Sequence, residues 1–69
     1  MKNKKPMTTL KKVRQEKGLT QKDLAEKVGI DWHVLSTYER GVRQPDIVII
    51  YNLAVALDCS IDSLIVDLL

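Results

Sequence analysis

Residues 18–41 read GLTQKDLAEKVGIDWHVLSTYERG, and this stretch is the most informative about the fold. It holds two short amphipathic segments, each preceded by a residue type that caps helices and each followed by a glycine. The first segment, residues 21–28, follows Thr20, and Thr20 with Asp23 resembles a capping box built with a shorter acid. The second segment, residues 32–39, follows Asp31. The pattern predicts two helices held at a fixed angle across a tight glycine turn.

The flanking sequence continues the helical pattern on both sides. Apolar spacing predicts further helices at about residues 8–17, 46–57 and 61–67, the first capped by Thr8 or Thr9 and the others by Asp46 and Ser60. Residues 1–7 are polar and basic, which favours a flexible basic arm. We therefore expect an all-α fold in which a single domain of five helices covers residues 8–69.

Composition excludes several classes of protein. With 69 residues the chain has room for one core, and its single Cys and single His cannot supply an internal disulfide or a structural zinc site. The longest apolar run, residues 47–51, is far shorter than a membrane span, and the basic start is not followed by the apolar run of a signal peptide. We expect no metal, no cofactor and no small-molecule ligand, and the inventory of nucleophiles and bases does not support an enzyme.

Charge is distributed unevenly along the chain. Residues 1–45 hold all eleven Lys and Arg with five acids, a net charge of +6, whereas residues 46–69 hold four Asp and no basic residue, a net charge of −4. The two parts add to the overall +2. A basic half favours a polyanionic partner, and the acidic half needs another role.

One set of residues carries a resemblance to a known family. It comprises Leu10, Arg14, Gly18 to Gln21, Leu24, Ala25, Val28 to Ile30, Leu35, Tyr38, Glu39, Gly41, Pro45, Leu53, Ala54, Ala56 and Leu57. Together these positions resemble the Cro/phage-repressor (Xre) helix-turn-helix family over roughly residues 8–66. The resemblance implies a lambda-repressor-like helix-turn-helix domain that binds double-stranded DNA. It also implies a partly buried ion pair between Arg14 and Glu39, the alternative being two surface charges without partners.

The predicted helix 32–39 has an outer face opposite Leu35 and Tyr38 that is free for recognition. By the resemblance this helix enters the major groove, and the expected base contacts are Trp32, His33, Ser36 and Thr37. His33 suits a guanine edge, although a solvated surface position is the alternative. Trp32 departs from the usual polar residue and either contacts DNA or packs on protein.

Phosphate contacts are expected around this helix. The resemblance assigns Gln21, at the start of its helix, to a phosphate, the alternative being an ordinary polar surface residue. Arg40, Arg43 and Gln44 flank the end of the recognition helix and are further candidates.

The acidic half suggests pairing of two chains. The helix at 46–57 carries a second apolar stripe, and the C-terminus adds more apolar surface than a small monomer should expose. We expect a homodimer, although a well-packed monomer with a frayed tail is an alternative. The candidate interface residues are Val48, Tyr51, Val55, Ile65, Val66, Leu68 and Leu69. Cys59 is interpreted as a small buried or half-buried apolar residue.

These expectations define the predicted function. The chain is expected to be a sequence-specific transcriptional regulator, a repressor that reads a palindromic operator in the cytoplasm, near the nucleoid, in a bacterial, phage or plasmid setting. The alternative is an antitoxin-like or accessory helix-turn-helix module whose main role is to bind a protein partner.

Overall fold

The computed structural model describes residues 5–69, and this part of the chain forms five α-helices and one 3-10 turn. The helices are α1 (Thr8–Glu16), α2 (Gln21–Val28), α3 (Trp32–Arg40), α4 (Ile47–Leu57) and α5 (Ile61–Ile65). The 3-10 segment Val66–Leu68, called the C-terminal turn below, follows α5 directly. It replaces the last part of the helix predicted to run to residue 67, and the other helices begin and end within one residue of their predicted bounds.

Local sequence explains where four of the helices start. Thr20 and Asp23 form the full capping box, in which the Thr20 hydroxyl accepts from Asp23 N–H and the Asp23 carboxylate accepts from Thr20 N–H, each at 3.0 Å. Asp31, Asp46 and Ser60 cap α3, α4 and α5 by accepting a backbone N–H. These capping predictions are confirmed.

The start of α1 is different, and the prediction that Thr8 or Thr9 caps it is wrong. Met7 is the N-cap residue, and no side chain next to it bonds the first turn. Instead, the carboxylate of Asp67 in the C-terminal turn accepts from Thr9 N–H at 2.9 Å and from Leu10 N–H at 3.3 Å. A residue from the far end of the chain therefore satisfies amide groups that a helix start leaves without an intrahelical partner.

The core lies where the inward faces of all five helices meet. Leu10, Leu24, Leu35, Leu53 and Leu64 have no exposed surface. These side chains come from α1, α2, α3, α4 and α5 in turn, so each helix contributes at least one residue to the same apolar cluster. Burial of these apolar faces orients the helices.

The N-terminal segment is partly fixed, which corrects the predicted flexible arm at residues 1–7. Residues 1–4 lie outside the described part of the chain. Met7 is fully buried, and its N–H donates to the Tyr38 carbonyl at 3.2 Å. Lys5 Nζ donates to the Leu69 carbonyl, and so the chain segment before α1 lies against both α3 and the C-terminus. Met7 therefore belongs to the core.

Helix α4 is apolar on two sides. Its inner side is buried, whereas Val48, Tyr51 and Val55 on its outer side are each about 60% exposed. Within residues 5–69, no single helix is long and apolar enough to cross a membrane. The pair formed by α4 and the segment Ile61–Leu68 reaches that length and hydropathy only with a bend of 120°.

Candidate nucleic-acid interface

The turn between α2 and α3 sets the angle of the recognition helix. Gly29 has a φ of 82°, a left-handed conformation that side chains with a Cβ rarely adopt. The N–H groups of Gly29 and Ile30 both donate to the Ala25 carbonyl, at 2.8 and 3.0 Å, and close the end of α2. Ala25 itself is almost fully buried. Its small side chain allows the close approach of α2 to its neighbours.

A buried ion pair ties α1 to the end of α3. Arg14 Nε lies 2.7 Å from Glu39 Oε2, and Arg14 Nη2 donates to Glu39 Oε1 at 3.1 Å. Arg14 Nη1 donates to the Leu19 carbonyl at 2.8 Å. Because both charged side chains are more than nine-tenths buried, this bidentate contact holds the far end of the recognition helix in place.

Gln21 joins the same network. Its side-chain amide Nε2 donates to Glu39 Oε1 at 3.0 Å, and the residue is half-buried at the start of α2. One amide hydrogen is therefore used within the protein, and the other remains free to donate. The predicted phosphate role of Gln21 relies on this second hydrogen and on the backbone at the helix start.

The predicted base-contact residues occupy the outer side of α3. His33 is exposed, while Trp32, Ser36 and Thr37 are half-buried. The Thr37 hydroxyl donates to the Val34 carbonyl one turn earlier. That bond uses the hydroxyl hydrogen, so the Thr37 oxygen is available as an acceptor and its methyl group as an apolar contact.

Trp32 and His33 form a stacked pair at the start of α3. Their ring centroids lie 3.9 Å apart with planes inclined by 28°. The Lys22 ammonium lies 5.7 Å from the centre of the Trp32 ring, within the range of a cation–π contact. Trp32 also packs against the edge of the core, so part of its surface is used within the protein.

Asp31 contacts His33 twice. Its Oδ1 accepts the backbone N–H of His33 at 2.7 Å and lies 2.7 Å from the ring nitrogen Nδ1. The hydrogen bonds from the His33 backbone and then from its side chain hold the pKa of Asp31 below the ordinary 3.8. Asp31 is therefore a carboxylate, and an acceptor only, throughout the neutral range.

The predicted phosphate contacts lie at the other end of α3. Arg40, Arg43 and Gln44 are all exposed. Arg40 Nε donates to Ser36 Oγ at 3.2 Å, which extends the guanidinium along the outer side of the helix. The N–H groups of Val42 and Arg43 donate to the Thr37 carbonyl, so the start of this loop is held against the helix end.

The candidate dimer residues form one exposed group and one half-buried group. Val48, Tyr51 and Val55 on α4, with Val66 and Leu69 at the C-terminus, are more than half exposed. Ile65 and Leu68 are half-buried, and Leu68 packs against the core of its own chain. The exposed group is therefore the larger apolar surface available to a partner.

Cys59 lies between α4 and α5 and is half-buried, as its interpretation as a small apolar residue requires. Partial burial raises the pKa of its thiol above the ordinary value, the Lys17 ammonium opposes this rise, and Asp58 adds to it. A thiol with a raised pKa is a weak nucleophile at neutral pH.

Several contacts were not expected from the sequence, among them the Gln21–Glu39 hydrogen bond described above. The bond from Asp31 to the His33 ring had a local signal, because an acid two residues before a histidine at a helix start can reach it. The contact from Asp67 to α1 had none, since 58 positions separate Asp67 from Thr9.

Comparisons with known proteins agree with this geometry. The helix-turn-helix family model matches residues 10–64. The HTH-type transcriptional regulator YqaE of Bacillus subtilis is 43% identical over 56 residues, which cover 81% of this chain and 48% of YqaE. This chain thus spans about half the length of that relative.

Solved structures give the same result. The restriction-modification controller protein C.AhdI of Aeromonas hydrophila matches with a TM-score of 0.80 and 38% identity over 83% of this chain and 86% of C.AhdI. SinR, a master regulator for biofilm formation solved in complex with DNA, matches with a TM-score of 0.80 and 34% identity over 84% of this chain and 94% of SinR.

These findings define an all-α helix-turn-helix fold of the lambda-repressor type, in a class made up of transcription regulators and not of enzymes. The chain belongs to the Cro/Xre-like helix-turn-helix family.

Proposed function

We propose that this chain is a sequence-specific transcriptional repressor that binds a palindromic operator in double-stranded DNA as a homodimer. The observation that carries the proposal is the outer side of α3, which presents His33, Ser36, Thr37 and Arg40. Asp31 caps the start of this helix, and the buried Arg14–Glu39 ion pair fixes its far end. A helix so positioned suits the major groove. The DNA-bound state of SinR supports the same use of the fold here.

The positions of the polar groups divide the interface into two parts. In this proposal the DNA sequence is read by base contacts from Trp32, His33, Ser36 and Thr37. The position of the protein along the DNA is fixed by phosphate contacts from Gln21, Arg40, Arg43 and Gln44. Arg43 and Gln44 follow the last turn of α3, so they reach the backbone that borders the groove.

The apolar outer side of α4 supports the proposed homodimer. Helix α4 has four exposed apolar residues, Ile47, Val48, Tyr51 and Val55. Together with Val66 and Leu69 they form more apolar surface than isolated exposed residues on a monomer do. A closed two-fold dimer presents two α3 helices to half-sites about one helical turn apart. The basic half of the chain then faces DNA, and the acidic half joins the subunits. A regulator of this kind would act on DNA in the cytoplasm, with the nucleoid, in a bacterial, phage or plasmid setting.

Selection of bound sequences from a random duplex pool tests the base contacts. We expect one palindromic sequence, and we expect His33→Ala and Thr37→Ala to change the selected bases while the circular dichroism spectrum stays the same. An unchanged selected sequence in both variants would remove these residues from base recognition. Selection of a sequence without two-fold symmetry would contradict the palindromic operator.

Salt dependence tests the phosphate contacts. Arg43→Gln should weaken binding to all sequences about equally and lower the slope of log affinity against log salt by roughly one. Lys17→Gln is the matched control. Lys17 is exposed, as Arg43 is, but it lies near Cys59 at the junction of α4 and α5 and is not one of the predicted phosphate contacts. An equal loss of slope in both variants would show a general field effect and no contact by Arg43.

Light scattering tests the dimer. The chain should have the mass of two copies at micromolar concentration, and Tyr51→Glu should reduce it to one copy and weaken operator binding. Glu26→Gln, a change at an exposed residue of α2, should do neither. A monomeric wild-type chain that still binds a palindrome with full affinity would overturn the assignment of this surface.

The same apolar surface supports a second candidate function, an antitoxin-like or accessory module that binds a protein partner. Salt distinguishes the two candidates. Binding through several phosphates weakens steeply as salt rises, whereas binding through Val48, Tyr51 and Val55 does not. Tight binding of a partner protein without selection of any DNA sequence would favour the second function.

A further inference from the structure

The start of α3 contains a hydrogen-bonding arrangement that determines how His33 can read a base. His33 is the single histidine of the chain, and its side chain is 71% exposed on the side of α3 assigned to DNA. Its Nδ1 is not free, because Asp31 Oδ1 lies 2.7 Å away. Only Nε2, on the far edge of the ring, remains for a partner outside the protein.

The chemistry of Asp31 decides which nitrogen carries the hydrogen. A carboxylate only accepts hydrogen bonds, so Nδ1 must be the donor in this contact. Neutral imidazole carries one N–H, and therefore Nε2 of neutral His33 has a lone pair and accepts. When the ring gains a proton, Nδ1 keeps its bond to Asp31 and Nε2 becomes a donor.

Neighbouring groups hold the ring in this orientation. Trp32 stacks on the imidazole with centroids 3.9 Å apart, and Asp31 is itself held by the His33 backbone N–H at 2.7 Å. The charged groups of α2 beside Asp31 and Trp32 are Lys22, Asp23 and Glu26. Lys22 lies over Trp32, and Asp23 is bonded to Thr20 in the capping box, so Asp31 is the charged group bonded to the imidazole.

We propose that Asp31 is a positioning residue that holds neutral His33 in the Nδ1–H form and makes its base preference depend on pH. This inference rests on the proposed DNA-binding function. Neutral His33 accepts at Nε2 from the exocyclic amine of cytosine N4 or adenine N6, and protonated His33 donates at Nε2 to guanine O6 or N7. Imidazole is the side-chain group that ordinarily exchanges a proton between about pH 5 and pH 8.

The first test uses the free chain without DNA. Long-range proton–nitrogen NMR correlation on the 15N-labelled protein at about pH 8 distinguishes the two neutral forms, and a single histidine makes the assignment unambiguous. We expect the Nδ1–H form in the wild type. Asp31→Ser keeps a helix-capping hydroxyl but removes the carboxylate, so it should shift His33 toward the Nε2–H form. Asp46→Ser removes the capping carboxylate of α4 and should leave the His33 form unchanged.

The second test selects DNA sequences at about pH 5.5 and about pH 8. In the wild type, one position in each half-site should change from guanine, whose major-groove edge has only acceptors, at the lower pH to cytosine, whose edge has only a donor, at the higher pH. The relative preference should change about fivefold, the size expected for one net hydrogen bond. The Asp31→Ser variant should prefer guanine at both pH values, because Nε2 of its His33 carries a hydrogen in both the neutral and the protonated ring. His33→Gln should lose the pH dependence.

The outcomes separate this inference from the function on which it rests. An Nε2–H form in the free wild-type chain overturns the inference whatever DNA is bound. The same selected base at both pH values overturns it while leaving the proposed function intact. If no sequence is selected at either pH, the proposed function fails and the role of His33 on DNA fails with it, although the NMR result for the free chain still stands.

Discussion

Removal of Arg14 should destabilise the domain severely, and removal of both members of its ion pair should not. Arg14→Met keeps much of the buried stem but takes away three hydrogen bonds, two to Glu39 and one to the Leu19 carbonyl. The Glu39 side chain, only 2% exposed, would then keep one partner, the Gln21 amide. The variant leaves a buried carboxylate without its counter-charge.

The size of the effect follows from this burial. Breaking a buried pair by removing one partner costs about 3–5 kcal/mol. A domain of this length has a free energy of unfolding of roughly 3–10 kcal/mol, so the single variant loses a large part of its stability. Replacement of both residues by apolar side chains of similar volume is often neutral or stabilising, because no buried charge remains. Arg14→Met/Glu39→Met should therefore be more stable than Arg14→Met by several kcal/mol.

Urea unfolding followed by circular dichroism measures this difference. The wild type, both single variants and the double variant form a double-mutant cycle. Lys12→Met, at an exposed position on the same helix, is the control and should change the free energy of unfolding by less than about 0.5 kcal/mol. A loss below about 1 kcal/mol in Arg14→Met, or a double variant no more stable than the weaker single variant, would show that Glu39 does not depend on Arg14 for its burial.

Three further changes test other contacts. Asp67→Ala should cost about 0.5–2 kcal/mol and speed hydrogen exchange at the amides of Thr9 and Leu10. Asp62→Ala, at an exposed position of α5, should leave that exchange unchanged. In thermal unfolding, Gly41→Ala should destabilise the domain more than Gly29→Ala. Both glycines have a φ near 80°, but only at Gly41 would an added Cβ lie 2.6 Å from Pro6 N. Equal losses of stability in the two variants would contradict the close approach of Pro6 to Gly41. Hydrogen bonds from the backbone and then the side chain of Thr20 lower the pKa of Asp23 below the ordinary 3.8. The Asp23 carboxylate therefore stabilises the folded state at pH values above 3.8, and this stabilisation is lost as the pH falls through the pKa of Asp23 in the folded state. Asp23→Asn should therefore flatten the fall in the free energy of unfolding below about pH 4, and urea titrations with parallel pH profiles in both proteins would exclude this role.

The helices can be predicted from this sequence because the residues that start and end them act locally. Thr20 with Asp23, Asp31 and Asp46 bond amides two or three residues away, so each helix start can be read from a few neighbouring residues. Glycines end α2 and α3 for an equally local reason, since each adopts a positive φ. The turn and the outer side of α3 follow from the same short stretch.

The resemblance to the Cro/Xre-like family predicted a long-range contact that the local sequence pattern could not predict. Arg14 and Glu39 are 25 positions apart, and nothing in their immediate sequence links them. The family pattern suggested the pair, and the structure shows that it is buried and bidentate. The roles of Gln21, Arg43 and His33 on DNA stay predictions, because they depend on a partner molecule.

Local sequence is enough to place the helices, the caps of α2 to α5, the helix-turn-helix and the separation of a basic half from an acidic half. Tertiary packing was needed to show that Met7 belongs to the core and that Asp67, not Thr8 or Thr9, bonds the first amides of α1. It also decided that Gln21 bonds Glu39 and that the His33 ring is held by Asp31. The difference comes from distance along the chain. A helix cap is formed by residues within one turn, so it can be predicted from neighbouring residues. Long-range contacts and the orientation of the His33 ring depend on which groups the packed core brings together.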